Sequence, residues 1–158
     1  MNKKKTLILG LGNDILMGDR IGSQLVRDLS KTINHDNIFS EVAASGGLEI
    51  LEYLMDFKKV IIIDAIRTQN GIPGDIYYLT PSDLESTKYM PSFHDINFIT
   101  ALKLGRTLYP DLTDDLHIIA IEILEDKEFS ESLSSTLEKR YPEILAEVTS
   151  LVKEIINA

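Results

Sequence analysis

The sequence predicts an α/β fold: a three-layer sandwich with a mixed sheet of about five strands between helices. Three observations carry this prediction. Residues 60–63 (VIII) form a continuous β-branched run, the pattern of a strand buried on both faces of a parallel sheet. Ile21, Leu25, Leu29 and Ile33 recur every four residues, the stripe of an amphipathic helix. Strand-like and helix-like stretches then alternate along the chain, as layered α/β folds require.

The elements follow in order. Thr6 to Leu11 reads as a buried strand, after which Gly10 and Gly12 allow a tight turn. The helical spacing covers residues 19–33, and residues 38–43 form a weaker strand. "GGLEILEYLMDF" opens on a glycine pair and continues as a short helix with Leu48, Leu51 and Met55 on its apolar face. "KKVIIIDAI" is the clearest strand, ending at Asp64. "NGIPGD" is a turn cluster leading into a strand at 75–79. The gap between these two strands is too short for a crossover helix, which predicts a hairpin-like antiparallel connection and a mixed sheet. Residues 80–91 are polar and irregular, with one helical turn available in "PSDLES". A third main helix spans 93–109, a strand 116–122, and a mostly helical tail 131–156, with a break expected at Tyr141-Pro142.

The 158 residues suit a single domain, 1–158, large enough for a core without metals or disulfides. There is no cysteine, which excludes a disulfide scaffold, a thiolate metal site and a cysteine nucleophile. Lysine plus arginine number 16 against 25 aspartate plus glutamate, a formal charge of -9. That balance disfavours nucleic acid and anionic membrane surfaces as partners. The basic run at 3–5 reads as a solvated strand entrance. "MNKKKTLILGLG" is a poor secretory signal, and no stretch approaches the ~20 apolar residues of a membrane span, so a cytoplasmic protein without membrane insertion is expected.

"LILGLGNDILMGDRIG" resembles a nucleotide-binding turn at first reading. A dinucleotide site needs G-x-G-x-x-G, yet "GLGNDI" puts Ile15 at the third glycine, and no Gly-Lys-Ser/Thr follows for a P-loop. The carboxyl ends of the strands offer a different site. Asp19 lies in or just beyond the loop leaving the first strand, Asp64 ends the buried strand, and His94 stands near the start of a helix. If the two strands are neighbours, both carboxylates face one crevice. Helix-start amides and the dipole there favour a neutral imidazole at His94. Two carboxylates and a neutral imidazole suit a divalent transition metal, with zinc, manganese, iron and nickel all open, and three ligands leave room for water or substrate.

Each residue also has a structural reading. Asp19 can cap the helix that follows, Asp64 can accept turn amides, and His94 can sit in a helix start resembling a capping box between Ser92 and Asp95. Asn13 can satisfy the glycine turn. His35 in "NHDN" reads as exposed, and His117 as a packed or edge residue of its strand. Asp111, Asp114 and Asp115 read as a solvated loop. G-x-S-x-G is absent, leaving Ser45 as a poor nucleophile candidate.

Four segments, in this order and spacing, resemble the hydrogenase maturation endopeptidases, the nickel-dependent peptidase family M52. They are "GLGNDILMGDRIG", "IIIDAI", "NGIPGDI" and "PSFHDINFITAL", and the likeness covers roughly the first 125 residues. The resemblance implies a single α/β domain with a twisted, mostly parallel sheet between helices. It implies an endopeptidase, active as a monomer, that removes a C-terminal extension from the nickel-loaded large-subunit precursor of a [NiFe] hydrogenase. The family's metal-recognising residues fall on Asp19, Asp64 and His94, and the nickel is expected within the precursor. The chain departs from the family pattern at Gly18, where many members carry a second acid, and at Arg20, commonly glycine. It departs also at "AASGGLE", which lacks the usual preceding acid, and at Ile123, commonly proline. Two other functions stay open on the residues alone: a protein that binds the metallated precursor without cutting it, and a small-molecule metallohydrolase or nucleotide-binding domain.

Overall fold

The computed structural model describes residues 5–11, 20–43, 49–84, 93–123 and 135–158, with the backbone alone at 49, 84 and 93–99. Five strands form one sheet: β1 (Thr6–Leu11), β2 (Ile38–Ala43), β3 (Lys59–Ile66), β4 (Ile76–Leu79) and β5 (Asp115–Glu122). Their spatial order is β2-β1-β3-β5-β4, parallel throughout except for β4, which runs antiparallel to β5. The helices are α1 (Ile21–Thr32), α2 (Glu49–Met55), the single turn α3 (Pro81–Leu84), α4 (Phe93–Leu108) and α5 (Ser135–Asn157).

The two faces of the sheet bury separate apolar layers, as period-2 alternation dictates. Leu7, Leu9, Val60, Ile62, Ile66, Ile118 and Ala120 meet Ile50 and Leu54 of α2 and Ala101 and Leu102 of α4. Ile8, Ile61, Ile63, Ile119 and Ile121 meet Ile21, Leu25 and Leu29 of α1 and Ile144, Val148 and Val152 of α5. This is the expected three-layer sandwich. β3 is buried along its length after Lys59 because it lies at the centre of the sheet with helices on both faces.

The mixed sheet is as expected, but the predicted hairpin is not. β4 pairs with β5 rather than with β3, because both edges of β3 are occupied by the parallel strands β1 and β5. The 67–75 connection therefore passes the end of β5 and returns on its far side. The predicted break at Pro142 is also absent, since α5 continues through it. Leu137, Ile144, Val148, Val152 and Ile155 hold one buried stripe on both sides of the proline. Tyr141 donates a hydrogen bond to Asp28 of α1 and Arg140 Nη1 donates to the Pro73 carbonyl at 2.6 Å, so tertiary contacts hold the first turns that the proline weakens. Among the described residues no helix is long and apolar enough to cross a membrane.

Candidate active site

From β1 the chain crosses to β2 on one side, and then returns to place β3 on the other. The carboxyl ends of β1 and β3 thus flank the topological switch point, where open α/β sheets form their ligand crevice. The neighbour relationship that the sequence reading required of these two strands is present, and they are parallel.

Asp64 occupies this crevice. The last β1–β3 register pair is Gly10 with Ile63, so Asp64 is the first residue of β3 with no β1 partner. It lies inside the strand rather than at its end, because β3 continues beside β5 for two more residues, with Asp64 opposite Ala120 and Ile66 opposite Glu122. Asp64 is only 5% exposed, and its Oδ1 accepts the Ala65 N–H at 2.8 Å. Alternation with Ile62 and Ile66 turns its side chain to the face covered by α2 and α4.

The start of α4 reaches the same edge of the sheet. Tyr109, Pro110 and Leu112, just past the end of α4, share a surface cleft with Met55 and Asp56 beside the beginning of β3. Sixteen residues at 1.5 Å per residue carry the helix about 24 Å to the opposite edge, the span of the strands it covers. His94 is the second residue of α4. Its side chain is outside the described residues.

Two glycines seat α1 at this edge. A Cβ on Gly22 would lie 2.4 Å from the Leu11 carbonyl oxygen and 2.6 Å from that of Ile63, and one on Gly10 would lie 2.8 Å from the Gly22 carbonyl oxygen. Gly10 and Gly22 thus serve close helix–strand packing. α1 begins at Ile21, with Arg20 as N-cap residue and no side-chain cap. Among the described residues the buried Arg20 Nε has no hydrogen-bond partner. Asp19, its proposed capping role, Asn13 and Ser45 lie outside the described residues. Among the described residues no three His, Cys, Asp or Glu side chains are grouped to hold a metal.

A second buried carboxylate at this edge escaped the sequence reading. Glu122, at the end of β5, is 1% exposed. It accepts the Thr68 N–H at 2.8 Å, the Tyr77 hydroxyl at 3.0 Å, and the Thr68 hydroxyl. Its backbone N–H donates to the Asp75 carbonyl and its carbonyl accepts from Gly74, both at 2.8 Å. Burial pushes the Tyr77 phenol above its ordinary pKa, and the Glu122 carboxylate adds to that. The signal was an acid closing an apolar strand, the same signature that marked Asp64. Beside it, Ile123 donates to the Ile66 carbonyl at 2.9 Å, a bond that a proline at this position could not make.

The remaining candidates are structural. His35 is exposed. His117 packs near the other end of β5, where its Nε2 donates to Asp115 Oδ1 at 2.6 Å and its Nδ1 shares a hydrogen bond with the Tyr78 hydroxyl. Asp115 is the first residue of β5 rather than part of a loop, while Asp114 pairs with Arg106 at 3.4 Å.

The family described as hydrogenase maturation protease (HycI) matches residues 24–151, a range that holds Asp64, His94 and Glu122. The chain belongs to the hydrogenase maturation proteases. It is accordingly an enzyme, a peptidase. A Methanocaldococcus jannaschii protein assigned to the same family is 30% identical over 94% of this chain and 99% of its own length. Among solved structures, the hydrogenase maturating endopeptidase HybD from E. coli shares the fold of this protease at TM-score 0.78. That match has 24% identity and covers 95% of this chain and 93% of the other. The [NiFe] hydrogenase maturation protease HybD from Thermococcus kodakarensis shares it at TM-score 0.70, with 23% identity over 93% and 98%.

Proposed function

We propose that this protease removes the C-terminal extension of a nickel-loaded [NiFe] hydrogenase large-subunit precursor, as a single-domain, monomeric, cytoplasmic enzyme. The observation that carries the proposal is the buried carboxylate of Asp64 at the β1/β3 switch point of a chain in the hydrogenase maturation protease family. In this reading the nickel belongs to the substrate. Asp19, Asp64 and His94 engage it in the precursor, and the recognition site is complete only when the precursor is loaded. Nickel so held can orient the tail, polarise the scissile carbonyl or activate water. Dependence on the loaded metal makes the cut a checkpoint, because an empty precursor lacks the recognition element.

Intact-mass spectrometry of nickel-loaded and nickel-free precursor after incubation with the protein tests this. Loss of one defined C-terminal peptide from the loaded form alone is the expected result. Equal cleavage without nickel would remove the checkpoint, and no cleavage of confirmed loaded precursor would remove the endopeptidase assignment for that partner.

A further inference from the structure

The loop joining β3 to β4, residues 67–75, is held more firmly than a connection needs to be, and it presents an apolar side chain to solvent. Ile72 is 62% exposed, more than any other large hydrophobic side chain among the described residues. Around it the loop is tied down at several points. Thr68 binds the buried Glu122 carboxylate through both its N–H and its hydroxyl. Gly74 and Asp75 bind the Glu122 backbone. Gly71 packs so tightly on Glu122 that a Cβ would lie 1.7 Å from its Oε1. Asn70 and Gly74 take left-handed backbone conformations, at φ 63° and 95°. From α5, Arg140 donates to the Pro73 carbonyl and lies 3.7 Å from the Asp75 carboxylate. Asp75 in turn donates its N–H to the Ile72 carbonyl at 3.0 Å, fixing the backbone at the exposed residue.

An exposed isoleucine on a loose loop needs no explanation. One on an immobilised loop differs, because the ordering entropy of docking has already been removed by the fold. Its place matters too. The loop leaves β3 three residues after Asp64, about 10 Å along the strand direction, and closes over the carboxyl end of β5. It therefore stands at the edge of the sheet that carries the candidate active site.

Resting on the proposed function, we infer that the 67–75 loop, clamped by Glu122, is a docking element in which Ile72 makes an apolar contact with the folded large-subunit precursor. Ile72 is a specificity-determining residue and Glu122 a positioning residue. Neither takes part in bond cleavage. Ile72 is the anchor because burying one isoleucine side chain at an interface changes affinity about tenfold to hundredfold.

The test compares wild type, Ile72→Ser, Ile72→Leu and Leu108→Ser with the nickel-loaded precursor. Leu108 is a matched control, 58% exposed but at the opposite edge of the sheet. Binding is measured by calorimetry, and KM and kcat by intact-mass assay. Ile72→Ser is expected to weaken binding and raise KM about tenfold or more with kcat within about twofold, Ile72→Leu to restore most of both, and Leu108→Ser to match wild type. Glu122→Gln, which keeps the side-chain shape but loosens the clamp, is expected to raise KM in the same way. Equal behaviour of Ile72→Ser and wild type overturns the inference, as does an equal loss in Leu108→Ser. A precursor that binds in an Ile72-dependent manner but is not cut would remove the endopeptidase assignment and leave the docking loop standing. A precursor that does not bind wild type at all overturns both.

Discussion

The Cα of Gly22 is packed so closely on β3 that a methyl group there would come within 2.6 Å of the Ile63 carbonyl oxygen, one residue before Asp64. The start of α1 is thereby pressed against the strand that carries the buried carboxylate. The contact is backbone on backbone, since the same added carbon would also lie 2.4 Å from the Leu11 carbonyl oxygen.

Gly22→Ala must displace α1, because the atoms it meets are the backbone oxygens of Leu11 and Ile63 rather than flexible side chains. A loss of about 1–3 kcal/mol of stability is expected, the range for an overpacked core. Urea unfolding monitored by circular dichroism measures it. A midpoint unchanged from wild type would mean that the helix can slide without cost, contrary to the packing described.

Asp64→Asn keeps an acceptor for the Ala65 N–H, removes the charge and turns the other carboxylate oxygen into an amide donor. Folding stability should stay within about 1 kcal/mol, while cleavage of nickel-loaded precursor should fall by more than about a hundredfold. Thermal unfolding and the mass assay, run on the same preparation, separate the two. Retained cleavage would take Asp64 out of the chemistry.

Glu122→Leu leaves the Thr68 N–H, the Thr68 hydroxyl and the Tyr77 hydroxyl facing an apolar side chain. Unsatisfied buried donors cost about 1–3 kcal/mol each, but these are only part-buried and water can reach them, so a total of about 3 kcal/mol is expected. Glu122→Gln retains one acceptor oxygen and should lose about half as much. Amide exchange should rise most at Thr68, Gly71 and Gly74. Uniform exchange across the chain instead would show that Glu122 does not hold this loop in particular.

Alkaline pH should weaken the fold through Tyr141. Burial first, and then the Asp28 carboxylate to which it donates, raise its pKa far above the ordinary 10.0. The folded state therefore keeps the proton more tightly than the unfolded chain does. The associated stability is fully present below about pH 10 and is lost as pH rises from there toward the folded value. Tyr141→Phe should be less stable than wild type at neutral pH and show a shallower decline above pH 10. Identical alkaline slopes in the two proteins would assign the decline to other groups.

Those predictions draw unequally on what could be read from the chain. The strands and main helices were legible because burial imposes a local period: β3 as an unbroken β-branched run, α1 as an every-fourth-residue stripe. Asp64 was legible as an acid closing an apolar strand. Glu122 has the same signature, but its meaning depends on Thr68 and Tyr77, which lie 54 and 45 residues away. Pro142 misled for the same reason. Its local cost is real, but contacts from Tyr141 to α1 and from Arg140 to the 67–75 loop outweigh it.

Composition and periodicity determined an α/β layered fold and its run of elements, while four motifs in order carried a resemblance to the family that falls on the candidates Asp19, Asp64 and His94. Those features are written in residues close together in the chain, where steric and hydrophobic preferences act directly. The tertiary structure alone decided that β4 crosses to the far side of β5, that α5 runs through its proline, and that Glu122 clamps a loop with Ile72 at its surface. Each of these is a choice among partners distant in sequence. It is settled by which strand edges remain free and which buried polar groups must find a hydrogen bond, and no local pattern encodes either.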